Sequence, residues 1–388
     1  MSIPAQPTTP RLVFCGEASV EAASNPPGTF LAQAIAGHAG YLWIVWVAPG
    51  QRGPDSGRLM YSKMDTTTEV WAIARPVEPH EFRDSFVNAP ALVEHLGQLT
   101  LAYSDRVSER VTILHWEHSM QRWVRRDSPV AFTAGSRLGL AGFRDTLVCV
   151  YRANDMPGHV FCNNTQIQKA STVWSSPRSI MHPTGALDPA LYVLHGQLHL
   201  LYGADHAEGD IVEQAVFRPE TETWERRGRL PGPVSPSGFS VTSSSAAGMA
   251  VVAFTARSNE ICVCVQTSGG WGEISALNHK PSGSLPPAVA IVGFGIYVAW
   301  SERAPEDEEG PGRFSGRKHR LLNVFVLKAG WRISTPAQCW PVSPSPEPTT
   351  VPWAAVLAKG YATSTRPSAS SCEAESATST YMGASIQM

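Results

Sequence analysis

Two pairs of histidines have spacings that could bring imidazoles together for metal binding or acid–base chemistry. His115 and His118 stand in the segment HWEH, and His195 and His199 stand in LHGQLHL. On a strand, residues three apart point to opposite faces, and the second pair spans a glycine-containing turn. No third ligand has an obvious place, and metalloprotease, P-loop, dinucleotide-binding and nucleophile-elbow motifs do not occur in the required context. We therefore expect no metal ion and no cofactor.

Arginine and glutamate form a second, incomplete set of groups that could bind a polar ligand. An arginine follows an aromatic residue at four similar places: Arg106, Arg152, Arg257 and Arg303. A glutamate stands on an expected strand further along in three repeats: Glu117, Glu213 and Glu260. The repeat that contains Arg152 has HVFCNN (159–164) at that place instead. A multivalent binder needs each site whole, so this pattern indicates that not every repeat keeps a binding role.

Aromatic residues recur along the chain with a period that is typical of a repeat fold. The first column consists of six tryptophans separated by 47 to 60 residues: Trp71, Trp123, Trp174, Trp224, Trp271 and Trp331. A second column precedes it in phase: Trp46, Tyr103, Tyr151, Tyr202, Phe254 and Trp300. A fixed period in this range indicates a repeat architecture. We expect the tryptophans to fill the space between neighbouring sheets and assign them no further role.

Each repeat has the pattern of four short strands. Two apolar runs are joined by a tight turn, as in 90–104 and 189–203, and a third segment follows, as in 110–118, 210–217 and 260–267. A fourth segment contains the tryptophan. The turns carry residues that tolerate positive φ: Gly37, Gly40, Gly97, Asp145, Gly196 and Gly295. The sequence therefore predicts an all-β fold, a β-propeller of four-stranded blades with six readable repeats.

The two ends of the chain are predicted to help close the ring. Segments 10–20 and 351–365 can each be a strand, which completes a sixth blade or builds a partial seventh. We expect one propeller domain over 1–365 and a Ser/Ala/Thr-rich tail over 366–388. Segment 301–320 is highly charged and longer than its counterparts. It is expected to join the second and third strands of the sixth repeat, as a solvated loop or as a lid over the central channel.

Composition and charge exclude several kinds of partner. The chain has 43% hydrophobic and 16% charged residues and a net charge of −2, so no basic field is available to hold nucleic acid. No apolar stretch approaches the roughly 20 residues that span a bilayer. The N-terminus lacks the apolar region of a signal peptide. Cys149, Cys262 and Cys264 are interpreted as reduced core residues. These features predict a cytoplasmic protein without nucleic-acid or membrane partners.

Two segments resemble a known propeller motif. SKMDTTTEVW (62–71) and RPETETW (218–224) resemble the Asp box of sialidases, which is a fold element. The arginine triad and the F-R-I-P segment of sialidases have no clear counterpart, so sialidase activity is not expected. The arginine, glutamate and aromatic set is similar to that of fungal fucose-lectin-like propellers. That resemblance implies carbohydrate sites between blades, repeated around the ring.

The strong variation among loops favours one site over six, at the mouth or in the bore of the central channel. The loops supply aromatic, histidine and arginine side chains without an evident nucleophile, metal or pair of acids. In this profile the chain resembles the hetero-Diels–Alderases of fungal tropolone–sesquiterpenoid pathways, through its blade architecture. The resemblance implies a cofactor-independent pericyclase. Such an enzyme adds a terpene alkene to a quinone methide, which forms when a hydroxymethyl-type precursor loses water.

This second resemblance assigns roles to residues of the loops and connections. His182, His206, Arg257 and Arg303 would donate hydrogen bonds to the developing oxyanion. Phe86, Phe239 and Trp353 would be walls that hold tropolone-like and terpene-like substrates together. Three functions stay open: a small-molecule enzyme of this kind, a carbohydrate-binding lectin with several weak sites, and a protein-interaction scaffold.

Overall fold

The fold is described from a computed structural model of the chain. The described residues are 11–20, 33–49, 57–77, 89–104, 111–125, 137–152, 156, 159–166, 174–181, 187–204, 211–232, 234–277, 286–293, 295–303 and 320–330. They belong to one compact unit, residues 1–333. Segments 351–365 and 366–388 and most of segment 301–320 lie outside them, so the domain boundary at residue 365 stays a prediction. Within the described ranges, no helix has the length and apolar character needed to cross a membrane.

The described strands form six small antiparallel sheets, numbered here as blades 1 to 6. The N-terminal strand is β1 (Arg11–Val20). Blade 1 contains β2 (Gln33–His38), β3 (Tyr41–Pro49), β4 (Gly57–Asp65) and β5 (Arg75–Pro76). Blade 2 contains β6 (Ala91–His95), β7 (Gln98–Ser104), β8 (Val111–Glu117) and β9 (Arg122–Val124). Blade 3 contains β10 (Gly139–Phe143), β11 (Thr146–Arg152), β12 (Val160–Gln166) and β13 (Arg178–Met181).

The second half of the ring repeats this plan. Blade 4 contains β14 (Ala190–Leu194), β15 (Gln197–Ala204), β16 (Ile211–Arg218) and β17 (Thr223–Arg229). Blade 5 contains β18 (Val234–Ser244), β19 (Met249–Ala256), β20 (Ile261–Thr267), β21 (Gly270–Trp271) and β22 (Ser275–Ala276). Blade 6 contains β23 (Ala288–Val292), β24 (Gly295–Arg303), β25 (Arg320–Gly330) and β1. The prediction of an all-β propeller is confirmed.

The N-terminal strand closes the ring. It pairs antiparallel with β25, from Arg11 opposite Gly330 to Val20 opposite Leu322. The prediction that segment 10–20 is a strand is therefore confirmed, and this strand is the outermost one of blade 6. The innermost strands β2, β6, β10, β14, β18 and β23 contact one another in this order, and β23 contacts β2 again.

Both aromatic columns lie where the repeat pattern predicts. The second-strand column is buried throughout: Trp46, Tyr103, Tyr151, Tyr202, Phe254 and Trp300. Five tryptophans of the first column pack into or against an apolar cluster between two neighbouring blades: Trp71, Trp123, Trp174, Trp224 and Trp271. Trp331 lies outside the described residues. Burial of such a ring contributes on the order of 2 kcal/mol, so the columns stabilise the joints of the ring.

Four of the six predicted turn residues lie in turns. Positive φ occurs at Gly40, Gly97 and Gly196. It does not occur at Gly37, Asp145 or Gly295; Asp145 still lies in a turn as predicted, whereas Gly37 and Gly295 belong to strands, so the prediction is wrong for these two. Gly37 lies inside β2, and a Cβ there would come within 2.7 Å of Val292 Cγ2, so this glycine permits a close approach between blades 1 and 6. In the other two turns the positive φ belongs to Arg144 and Gly293.

The segment that resembles an Asp box has a structural role. Asp65 Oδ1 accepts hydrogen bonds from the backbone N–H groups of Thr67 and Thr68, at 2.8 and 3.1 Å. These bonds stabilise the charged carboxylate and lower the pKa of Asp65. They fix the turn that leads from β4 to Trp71, in agreement with the expected fold element.

Candidate functional site

The structure tests the predicted catalytic set at only a few positions. Arg257 is exposed in the turn between β19 and β20, and Phe239 is buried on the innermost strand of blade 5. Arg303 is the last residue of β24, and nothing of its side chain is described. The remaining candidates lie outside the described residues: His182, His206, Phe86 and Trp353.

The bore of the propeller is narrow within the described residues. Its cavity measures about 60 Å³ and is lined by the innermost strands of all six blades. The Arg137 side chain reaches across it and donates to the Phe239 carbonyl at 3.3 Å, while the Arg137 N–H donates to Asp188 Oδ2 at 3.3 Å. A water molecule occupies about 30 Å³ in the liquid, so this space suits one or two waters. It does not suit two apolar substrates side by side.

The arginine and glutamate set is not assembled as a repeated site in the described part of the ring. Glu213 accepts from the Tyr202 hydroxyl at 2.7 Å and pairs with Arg226 at 2.7 Å. Glu260 accepts from the Ser258 hydroxyl, and no ion pair joins it to Arg257, which is also among the described residues. Arg152 donates to the Leu187 carbonyl of the next blade at 3.3 Å. These side chains serve local structure in three different ways.

The strand register instead identifies four equivalent positions in each gap whose column tryptophan is among the described residues. Equivalent positions are found by aligning the blades on the aromatic residue of the second strand and on its pairing partner on the third strand, for example Tyr202 and Glu213. Of the two blades at a gap, we call the one that comes first in the sequence the leading blade and the other the following blade. The leading blade lines the gap with two residues, one on its second strand and one on its third. The following blade supplies one third-strand residue and the column tryptophan. We call these gaps clefts and name each by its two blades.

Three of the clefts contain contrasting sets at these positions. The 1/2 cleft has Trp43, Tyr61, Trp116 and Trp123. The 3/4 cleft has Val148, Cys162, Phe217 and Trp224. The 4/5 cleft has His199, Gln214, Gln266 and Trp271. The same scaffold thus offers an aromatic, an apolar and a polar version of one gap.

The 1/2 cleft is closed by its own side chains. Trp43 is 1% exposed, and its ring centroid lies 4.7 Å from Trp116, 6.0 Å from Tyr61 and 6.1 Å from Trp123. Packing of this density leaves no room for a ligand.

The 4/5 cleft is open, with a volume of about 840 Å³. Gln214 is its organising residue. The Gln214 Nε2 donates to the Tyr192 hydroxyl at 2.8 Å and to His199 Nδ1 at 2.8 Å, and its Oε1 accepts from Trp271 Nε1 at 3.0 Å. Gln266 joins the same network, since its Oε1 accepts from the Tyr192 hydroxyl at 2.5 Å. All hydrogen-bonding groups of Gln214 are therefore used, which holds the cleft wall in one arrangement.

His199 presents an unused polar atom in this network. Its ring is stacked on Tyr192 at 4.7 Å, and only 6% of the residue is exposed. Its Nε2 is buried without a hydrogen-bond partner among the described residues. Burial lowers the pKa of His199 to about 4, an effect that the nearby Leu194 carbonyl only partly opposes. Since Nδ1 accepts from Gln214, the neutral ring carries its proton on Nε2. His199 is thus a buried neutral imidazole in the wall of the cleft.

The outer part of the 4/5 cleft is basic and accessible. Gln197, Arg227 and Arg229 are exposed and line it, and Trp271 is half-buried beside them. Arg227 pairs with Glu225 at 3.0 Å, whereas Arg229 makes no side-chain hydrogen bond or ion pair to another described residue. The cleft therefore combines an aromatic ring, amides, a neutral imidazole and guanidinium groups in a concave surface. Such a set binds hydroxyl-rich or carbonyl-containing ligands through directed hydrogen bonds.

The sequence-based reasoning missed this cleft. It considered His199 only as a metal ligand and discounted it in that role; no group of three or more potential metal ligands occurs among the described residues. It also limited Trp271 to packing and did not consider Gln214 or Gln266. The available signal was their polarity, because the equivalent third-strand positions of the other repeats are mostly apolar or aromatic.

Comparison with known proteins supports the fold. No family model and no curated protein matches the sequence. A protein of unknown function from Dyadobacter fermentans has a similar structure, with a TM-score of 0.60 and 10% identity over 82% of this chain and 99% of that one. A triple mutant of AofleA from Arthrobotrys oligospora has a TM-score of 0.56 and 10% identity over 81% of this chain and 93% of that one. The fucose-recognising lectin of Aleuria aurantia is a six-bladed propeller. It has a TM-score of 0.53 and 13% identity over 71% of this chain and 90% of that one. At these identities the similarity establishes the six-bladed, lectin-like β-propeller fold alone.

Proposed function

We propose that the protein is a carbohydrate-binding propeller with one principal sugar site, in the 4/5 cleft. The observation that carries the proposal is the replacement of apolar by polar residues at equivalent positions. Where the 3/4 cleft has Val148, Cys162 and Phe217, the 4/5 cleft has His199, Gln214 and Gln266. The similarity to lectins of the same fold agrees with this proposal, which extends the expected sugar sites between blades to one particular pair of blades.

The physical requirements for a sugar fit this cleft. A pyranose has an apolar face of C–H groups and an equator of hydroxyls. The half-buried Trp271 ring offers a surface for the apolar face. The exposed Gln197 amide and the guanidinium groups of Arg227 and Arg229 can each bind two neighbouring hydroxyls, because their hydrogen-bonding groups lie in a plane. The hydrogen bond from Trp271 Nε1 to Gln214 holds the stacking surface in place before binding, which lowers the entropy lost on association.

Calorimetry with the wild type and two matched variants tests the proposal. The ligands are a sugar panel that includes α-methyl-L-fucoside and Fucα1-6GlcNAc, which occupy structures of the Aleuria lectin. We expect one sugar site per chain. Trp271→Ala should weaken binding at least about ten-fold by removing the stacking surface. Trp224→Ala changes the equivalent tryptophan of the 3/4 cleft and should keep the wild-type affinity. Several equivalent sites, or equal losses in both variants, would contradict a single site in the 4/5 cleft.

The pericyclase hypothesis stays a prediction. A hetero-Diels–Alderase would need a pocket for a tropolone-like and a terpene-like partner, and the described bore holds about 60 Å³. Most of its proposed donors and walls lie outside the described residues. The same calorimetry distinguishes the two functions, since an enzyme of this kind would bind the apolar compounds and leave the sugars silent.

A further inference from the structure

The 3/4 cleft is a second cavity of different chemistry, and it does not depend on the sugar site. It encloses about 310 Å³ between blades 3 and 4. Phe143 and Phe217 meet edge to face at 6.3 Å, and Trp224 lies 5.4 Å from Phe217. Val148, Leu198 and Ile180 complete an apolar wall. A cavity of this size is within the range of small-molecule sites.

The polar groups that line this cleft carry no net charge. Burial raises the pKa of Cys162 to about 12, so this side chain is a protonated thiol and acts as an apolar surface. At the rim, Arg178 of blade 3 and Glu222 of blade 4 form an ion pair at 2.7 Å across the gap. Arg144 and Asp145 stand together in the neighbouring turn, and both line the cleft. Two cations and two anions give no net charge to attract a charged ligand.

The 1/2 cleft shows what packs in such a gap. There, Trp43 and Tyr61 occupy the positions that Val148 and Cys162 hold in the 3/4 cleft. Their rings pack against Trp116 and Trp123, which correspond to Phe217 and Trp224. The 3/4 cleft keeps the two aromatic residues of the following blade and lacks the two rings of the leading blade.

We propose that the 3/4 cleft binds one small uncharged aromatic compound, which takes the place that Trp43 and Tyr61 occupy in the 1/2 cleft. The ring would lie against Phe217 and Trp224, which offer both face and edge contacts. The Arg178–Glu222 pair stands over the opening. Both of its side chains are about two-thirds exposed, at 64% and 65%, so the pair is weak and can open at little cost.

The probe is 1-naphthol, with 1-naphthoate and 1-naphthylmethylammonium as charged analogues of the same ring size. Binding is measured on the full chain by calorimetry and by saturation-transfer NMR observed on the ligand. For a ligand of this size we expect one site with a dissociation constant on the order of 0.1–1 mM. The two charged analogues should each bind about ten-fold more weakly, because each must enter an apolar space with its charge uncompensated.

Two variants locate the site. Cys162→Tyr imports the residue of the 1/2 cleft, fills the space and should abolish 1-naphthol binding without lowering the unfolding temperature. Phe217→Gln imports the residue of the 4/5 cleft and should weaken 1-naphthol at least about ten-fold. Trp271→Ala, in the other cleft, should bind 1-naphthol as the wild type does. The proposal is overturned if 1-naphthol does not bind at millimolar concentration, or if the folded Cys162→Tyr and Phe217→Gln proteins bind it unchanged.

Discussion

At the scale of single residues, Gln214 and His199 define the polar cleft. An amide with four partners has no freedom to rotate, and its orientation determines the tautomer of His199. A buried polar network of this kind favours neutral side chains, because a charge inside it is poorly solvated. Protonation of His199 would place a second donor where Gln214 already donates. Burial lowers the pKa of His199, and the Gln214 donor facing Nδ1 also disfavours the charged imidazole.

This residue predicts how stability depends on pH. The pKa of His199 is about 4 in the folded protein and 6.5 in its ordinary environment, so above pH 7 the ring is neutral in both states. As the pH falls from about 6.5 to about 4, the unfolded chain takes up a proton that the folded protein refuses. The free energy of unfolding should fall by up to about 3 kcal/mol from this group. Chemical denaturation of the wild type and of His199→Gln at several pH values measures this contribution. Identical pH profiles of the two proteins would contradict the low pKa of His199.

Two other histidines contribute in the same direction. Burial lowers the pKa of both His38 and His95. The His38 ring lies in the joint between blades 1 and 2, where its Nε2 is 2.8 Å from the Nε2 of His118. His95 packs against Gly142 of blade 3, at a position where no Cβ would fit. The acid sensitivity of His199 is therefore read as the difference between wild type and variant, which removes these shared effects.

At the scale of elements, the hairpins at the inner strands contain strain that the sequence does not reveal. Ala39, Leu96 and His195 each precede a turn glycine and have φ values of +51, +51 and +49. Two successive residues of positive φ form the tight turn that matches the twist of paired strands, and asparagine or glycine suits the first of them. A leucine there costs about 1–2 kcal/mol in backbone energy.

Leu96 offers the clearest test of that strain, because its side chain is 53% exposed. Leu96→Asn creates an Asn-Gly turn and should raise the free energy of unfolding by about 1 kcal/mol. Leu96→Ala removes the same exposed apolar surface but keeps the unfavourable backbone, so it should leave stability nearly unchanged. Thermal unfolding of the three proteins decides the matter. Equal stability of Leu96→Asn and Leu96→Ala would show that the turn is not strained.

The elements also explain how far the sequence leads. The spacing of Trp123, Trp224 and their counterparts can be read directly from the sequence, and it predicts the blades correctly. The contents of a cleft depend on how one blade faces the next, which follows from register on both sides of the gap. His199 and Gln266 are 67 positions apart and meet only through that register. The width of the bore likewise depends on how six strands tilt together, so a central pocket could not be measured from the loops alone.

At the scale of the whole molecule, the propeller is a ring of six similar contacts between neighbouring blades, and the N-terminal strand completes the last blade. Each joint has its own apolar cluster, and the six clusters together close the ring. Five of the blades are built from consecutive strands. Blade 6 alone joins the two ends of the described chain, through β1 and β25. We expect the closed ring to depend in part on this pairing, although blade 6 also contacts blade 1 through β23 and β2 and through their shared apolar cluster.

Removal of β1 tests this dependence. A chain that lacks residues 1–20 leaves β25 as an exposed edge strand with unpaired N–H and C=O groups. We expect its free energy of unfolding to fall by several kcal/mol, since a whole row of strand pairs is lost, and we expect concentration-dependent association through the new edge. A chain that lacks only residues 1–10 keeps every pair between β1 and β25 and serves as the control. Thermal unfolding and light scattering compare the three chains. If the chain that lacks residues 1–20 unfolds at the wild-type temperature and stays monodisperse, the ring does not depend on its N-terminal strand. The apolar clusters between blades are then sufficient to hold the ring closed.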